Sequence, residues 1–458
     1  MRRPPHDGPL GRLLLLALLL SACAPGRSDG PAIALVGGSV IDGTGAGPRA
    51  ATVLIRGDRI EEVGPDVEVP RSAEVVEIAG MTVLPGLMDM HGHMYAFGNN
   101  QFEAYSALFL AGGVTTAFSP GDFDPQGMTA FRDRVARGEA VGPRVLTAGP
   151  YFDHEPSVVG WIEGVESPEE ALAKFESWKD RIDAVKVYSN ITEEELGALA
   201  EAAHAAGLKM TGHLGGQVST RRAIELGIDG LEHGIFAVSD LTNTSQTDDL
   251  ARQYCALAEI DLDGPVVDGL IQAIVDEHVW ITPTIVTLQS IHPDFVPPAP
   301  EWLDYLSPEL RERMAQIPPY LDQHGAACLD GALSKQLEFV RRVHERGGLV
   351  LAGTDPVSPK VVPGFGIHAE MANFVRAGLS PLQAISIATR NGAVALGMSE
   401  ELGTLEPGKL ADLVVVRGDP ASDIAVIGNT VWVFKAGVRY DPSELRESAV
   451  GSIRLPAG

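Results

Sequence analysis

The chain is 458 residues long, 45% hydrophobic and 21% charged, with a formal net charge of −26. A chain of this length buries a large core, and its composition excludes an intrinsically disordered or low-complexity protein. No cluster of lysine or arginine interrupts its body, which argues against nucleic acid as a partner, while the acidic balance disfavours strongly anionic ligands.

At the N-terminus Arg2, Arg3 and Arg12 precede the run LLLLALLL, followed by small residues and Cys23. A basic start, an apolar stretch too short to span a bilayer and a small-residue end read as an export signal over 1–22. LSAC at 20–23 also resembles a bacterial lipoprotein box. That implies cleavage before Cys23, lipidation of Cys23 and a short flexible tether over 23–31 that holds the protein to a membrane. A plain cleavage site beside an incidental cysteine is the alternative. The expected location is the bacterial cell envelope, on the periplasmic or outer-membrane face.

From residue 32 to 82, β-rich runs alternate with turn signals, as in IALVGGSVIDGTG, ATVLIRGDRIEEVG and AEVVEIAGMTVLPG. LADLVVVRGD and TVWVFKAGVRYD repeat that texture, so segments 32–82 and 400–445 are expected to form one small β-sandwich from both chain ends. Between them, over 83–399, short apolar runs at 83–90, 114–119, 143–148, 184–188, 208–213, 230–234, 279–286 and 348–354 read as strands. Helical patterns separate them, including NQFEAYSALFLAGG, PEEALAKFESWKDR, TEEELGALAEAAHAAG, STRRAIELG and SKQLEFVRRVHERGG. Strand and helix in eightfold alternation predict an α/β fold, a (β/α)8 TIM barrel with its functional residues at the C-terminal strand ends. Long connections fall at 237–265 and 287–334, the second read as a lid or substrate wall. Cys255 and Cys328 are compatible with a disulfide in an oxidising envelope and equally with two buried thiols.

Six chemically distinctive residues end these strand signals: His91 and His93 in LPGLMDMHGHM, Lys186 in DAVKVYS, His213 in LKMTGHL, His233 in GLEHGI and Asp355 in LVLAGTDP. Imidazole nitrogens and carboxylate oxygens suit a borderline metal such as zinc, and a catalytic site keeps one position open for water. His91 and His93, at alternate strand positions, would face the same side and grip one ion. Lys186 is the odd member, because burying an ammonium in an apolar strand is costly unless it is paired or modified.

PGLMDMHGHM, followed by strand-end Lys, His, His and Asp in that order, resembles the metal-dependent amidohydrolase superfamily, and GTLEPGKLADLVVVRGDP at 403–420 looks like its usual ending. MDMHGHM, the VKV strand and HAEMANFVRAGLSP look most like its imidazolonepropionase-related and Xaa-Pro-dipeptidase-like branch. The resemblance implies two divalent ions, with zinc expected. His91, His93 and Asp355 would hold the first and His213 and His233 the second, while Lys186, carboxylated by carbon dioxide to a carbamate, would bridge them. It implies further that Asp355 moves the proton during hydrolysis of an amide bond in a dipeptide of Xaa-Pro type or an N-acyl amino acid. Tyr188, two positions after Lys186 on the same strand face, is a candidate for contacting substrate, as are Tyr95 and His154. The segment YFDHEPS departs from the glycine-rich, histidine-containing loop that many relatives carry after strand three. A cyclic amide, lactone or phosphotriester hydrolase with the same centre is the nearest alternative, and a non-catalytic surface lipoprotein the more distant one. Partners are expected to be a small-molecule or short-peptide substrate and, through Cys23, a membrane; the resemblance is also compatible with a homo-oligomer.

Overall fold

Runs rich in Val, Ile and Leu at the two ends of the chain pair with one another as well as locally. Met81–Pro85 lies antiparallel to Leu413–Arg417, which pairs in turn with Thr430–Lys435 and through it with Val438–Tyr440. Ser39–Val40 and Arg49–Ala50 complete this six-stranded sheet, and a four-stranded sheet runs Arg59–Gly64, Thr52–Arg56, Ala32–Val36, Glu74–Glu77. Leu35, Val53, Ile55 and Ile60 from the second sheet share one apolar cluster with Val83, Leu413, Val415 and Phe434 from the first. Burial of those side chains, about 1.5–3 kcal/mol each, ties the two chain ends together and closes the middle of the chain between them.

That middle contains parallel strands separated by helices. The computed structural model describes residues 30–454, apart from 97–98, 158–161, 163, 235–240, 242–249, 293, 316–325, 357 and 359. The expected export signal and Cys23 lie outside the described residues. Leu87–Asp89, Val114–Ser119 and Arg144–Thr147 form one parallel sheet. Tyr151–Phe152, Ala184–Val187, Lys209–Gly212, Gly230–Glu232 and Trp280–Thr282 form another. Asp183 N donates to Thr147 O at 2.8 Å between them, and the segment 349–352 joins both on the other side, with Leu351 N donating to Ile281 O at 2.9 Å and Met90 N to Ala352 O at 2.8 Å.

The helices follow the expected pattern where capping chemistry is strong. Thr192 and Glu195 form a reciprocal capping box at the start of Glu193–Ala205, and Ser167 caps Pro168–Trp178. Helices Pro125–Ala136 and Pro265–Asp276 were not among the expected patterns, although each opens on proline, which suits a first helical turn. Two expected strands are shortened. The 279–286 run ends at Thr282 and turns at Thr284, φ 43°, into the helix Ile285–Ser290. The 348–354 run holds only an isolated bridge, Val350 to Ile281. Gly353 lies against His91, where a Cβ would come within 2.8 Å of the His91 Cβ. Glycine is therefore required by close approach at that point.

Cys255 and Cys328 form a disulfide, joining Leu250–Ala258, within the 237–265 connection, to Ala326–Glu345, a helix that begins inside the 287–334 connection. No helix among the described residues is long and apolar enough to cross a membrane.

Candidate active site

All six sequence-selected residues, His91, His93, Lys186, His213, His233 and Asp355, line one cavity of about 440 Å³. His91, His233 and Asp355 each offer a ligand atom within 4.8 Å of the others. The His213 and His233 rings lie 4.5 Å apart, the His91 and His233 rings 4.7 Å, and His93 Nε2 is 3.9 Å from an Asp355 oxygen. His91 and His93 do not sit on a strand as their spacing suggested. Leu87–Asp89 ends before them, and their rings stand nearly perpendicular at 4.9 Å.

Carboxylates and backbone turns fix this arrangement. Asp89 accepts from the His91 N–H, the Thr354 N–H and the Thr354 hydroxyl, which pins the segment carrying His91 to the one carrying Asp355. Glu232 accepts from His91 Nδ1 at 2.6 Å and from the Thr211 hydroxyl. A carboxylate behind an imidazole sets its tautomer and leaves Nε2 as the ligand atom. His233 Nδ1 meets Thr284 Oγ1 at 2.9 Å in the same way. His233, Thr284 and Asp355 all have positive φ, at 63°, 43° and 47°. For a β-branched threonine this is a strained conformation, of order 1–3 kcal/mol. The buried Glu370 carboxylate holds the turn by accepting from Ile285 N–H and Val286 N–H, and Gln336 donates to the His233 and Pro283 carbonyls.

Electrostatics favour ligand forms of these side chains. Burial, reinforced by neighbouring imidazoles and Lys186, lowers the pKa of His93 and His233 well below the usual range, so both rings are neutral donors. Lys186 is 1% exposed, and burial lowers its ammonium pKa to about 8 against the opposing pull of Glu232 and Asp355. Burial raises the Asp355 carboxyl even though His91 and Lys186 oppose it. For Glu232, burial acts upward but is outweighed by His91, Lys186 and Thr211, and the carboxyl is held low. Neutral imidazoles, a carboxylate and a desolvated amine in one pocket fit a divalent-metal centre by their donor chemistry.

Around the metal-type residues the structure separates the substrate candidates. Tyr188 and Tyr95 line the cavity, and the Tyr188 ring lies tilted against the His213 ring with centroids 4.9 Å apart. Tyr151 OH donates to the Gly121 carbonyl and lies 2.6 Å from Tyr95 OH, so the Tyr95 proton goes to Tyr151 and is not free for a substrate oxygen. His154 is not among the lining residues; its Nδ1 is 2.7 Å from buried Glu195, beneath the first turn of Glu193–Ala205. Tyr151, three residues before His154, takes the place at the wall. Sequence reasoning also missed Glu232, Thr284, Gln336 and Glu370. Glu232 carried a usable signal, a carboxylate inside a buried strand next to His233.

Comparison with known proteins adds an independent line. A model of the Amidohydrolase family matches residues 82–438. The dihydroorotase of Mycobacterium tuberculosis (strain ATCC 25618 / H37Rv) is 33% identical over 76 residues, 16% of this chain and 18% of that protein. The imidazolonepropionase of Paenarthrobacter aurescens (strain TC1) is 34% identical over 102 residues, 21% of this chain and 25% of that protein. The chain thus spans a quarter or less of these two curated relatives. A crystal structure of a Xaa-Pro dipeptidase with bound methionine superposes with a TM-score of 0.67 at 23% identity, over 90% of this chain and 100% of that one. Family and structural likeness together imply a TIM-barrel-type α/β fold.

Proposed function

The chain belongs to the Amidohydrolase family, and from that premise we propose that it is a binuclear metal-dependent hydrolase of amide bonds in small molecules or short peptides. The observation that carries this reading is the convergence of His91, His93, Lys186, His213, His233 and Asp355 on one cavity. On this reading the two parallel sheets, with Arg144–Thr147 and Tyr151–Phe152 counted as one interrupted strand, and the 349–352 segment bonded to both form a (β/α)8 barrel, which begins at Leu87 and not at 83 because Met81–Pro85 pairs with Leu413–Arg417; the two terminal sheets form a β-sandwich.

His91, His93 and Asp355 would hold one divalent ion and His213 and His233 the other, with zinc the expected metal. Lys186 would join both after its neutral amine adds to the carbon of carbon dioxide and loses a proton, leaving an anionic carbamate. Its buried position supports that modification, which exchanges a stranded ammonium for a metal-paired anion. Bound ions would supply a hydroxide nucleophile near neutral pH and polarise the substrate carbonyl. Asp355 takes the proton released as the acyl carbon is attacked and delivers it to the leaving nitrogen, for which its raised pKa is suited. Tyr188, whose hydroxyl makes no hydrogen bond among the described residues, would donate to the developing oxyanion. A dipeptide of Xaa-Pro type or an N-acyl amino acid remains the reference substrate, supported by the solved neighbour named above.

The test is turnover of zinc-loaded protein on a panel of dipeptides, N-acyl amino acids and their amides, beside Lys186→Ala. Release of amine from at least one substrate, lost in Lys186→Ala, is expected. Turnover confined to lactones or phosphotriesters would replace the amide reading, and undiminished activity of Lys186→Ala would remove the lysine from the centre.

A further inference from the structure

We infer that the substrate presents an aromatic or large apolar group beside the scissile acyl bond and no free carboxylate. The inference rests on the hydrolase reading above and replaces its reference substrates, which carry a free carboxylate, by their uncharged derivatives. Tyr95, Phe123, Tyr151 and Tyr188 form a continuous aromatic wall, with the Tyr95 and Phe123 centroids 4.0 Å apart and those of Tyr151 and Tyr188 5.5 Å apart. Leu288 and Ile291 add an aliphatic patch to the same cavity. Such surfaces gain by covering apolar groups and by stacking on rings.

An anionic group has no comparable partner there. Among the described lining residues the one lysine or arginine is Lys186, buried within the metal-type cluster and committed to it. Two basic side chains lie near the wall in sequence but not on it: Arg252 is exposed, and Lys360 donates to the Phe295 carbonyl at 3.3 Å. Segments 97–98, 158–161, 235–240, 242–249 and 316–325 contain no lysine or arginine, but do contain Asp240, Asp248, Asp249 and Asp322. The two phenols deepest in the wall spend their protons on each other and on the Gly121 carbonyl. A carboxylate beyond the reacting bond would therefore lose its water without gaining a charged or bidentate partner, which is costly. A free dipeptide or N-acyl amino acid carries such a carboxylate; its carboxamide, ester or anilide does not.

Calorimetric titration of the zinc-loaded full chain with uncleavable ketomethylene isosteres of benzoyl-leucine and benzoyl-leucinamide tests this without requiring turnover. The carboxamide is expected to bind at least about tenfold more tightly than the free acid; equal or tighter binding of the acid would overturn the inference. Ile291→Arg should shift the preference toward the acid by about tenfold or more, and an unshifted preference would show that the absent cation does not set it. Failure of the cleavable pair to turn over, with the binding preference intact, would count against the hydrolase reading alone.

Discussion

Buried acids hold this cavity in shape, and Asp122 shows how they act outside the metal-type cluster. Its carboxylate accepts from Ser119 Oγ at 2.7 Å and Thr147 Oγ1 at 2.5 Å, and burial raises its pKa from 3.8 to about 7 despite those bonds. A folded-state pKa above the unfolded value means that the native state keeps the proton longer. The associated stability is complete below pH 3.8 and is lost as the pH rises to about 7. Asp122→Asn removes that slope. Its stability relative to wild type, read from urea midpoints, should therefore improve between about pH 4 and about pH 7, by about 1 kcal/mol per pH unit over that range; a constant difference would contradict the assignment. At this scale the six metal-type residues were legible because imidazole, amine and carboxylate groups are rare in or at the ends of apolar runs. Glu232 and Thr284 were less so, because their roles exist only through contacts with His91 and His233. His154 was misleading for the converse reason: a histidine in a loop near the site signals a ligand or substrate contact, but buried Glu195 claims it.

Elements were legible where periodicity and capping agreed, as at Pro168–Trp178 and Glu193–Ala205. They were not where tertiary partners override local pattern. The run 279–286 reads as one strand, yet Glu370, far along the chain, captures the N–H groups of Ile285 and Val286 and ends it in a turn. The eighth expected strand is reduced to a bridge where Gly353 lets the backbone close on His91. The disulfide also belongs to this scale, since two cysteines 73 residues apart carry no distance information in sequence. By joining Leu250–Ala258 to Ala326–Glu345 it anchors the helix that supplies Tyr254 to the cavity wall. Replacing both cysteines by serine should cost about 2–5 kcal/mol in denaturant unfolding, and an unchanged midpoint would show that the bridge contributes no stability.

At the scale of the whole molecule, pairing of Met81–Pro85 with Leu413–Arg417 makes the catalytic portion an insertion between two halves of one β-rich unit. The two chain ends share a β-rich texture in sequence, whereas their pairing and its register come from the folded structure. Beyond the described residues, the proposal that the chain is exported and anchored rests on Arg2, Arg3, Arg12, the leucine run and Cys23. Cells given labelled palmitate should incorporate it into wild type and not into Cys23→Ser, and equal labelling would refute lipidation at that position. We propose that Lys186 turns the other five metal-type residues of the cavity into a two-ion centre. Metal analysis of protein produced with zinc and bicarbonate tests it most directly: about two ions per chain are expected, falling to about one or fewer in Lys186→Ala, whereas a wild-type content near one ion, unchanged by the substitution, would contradict it.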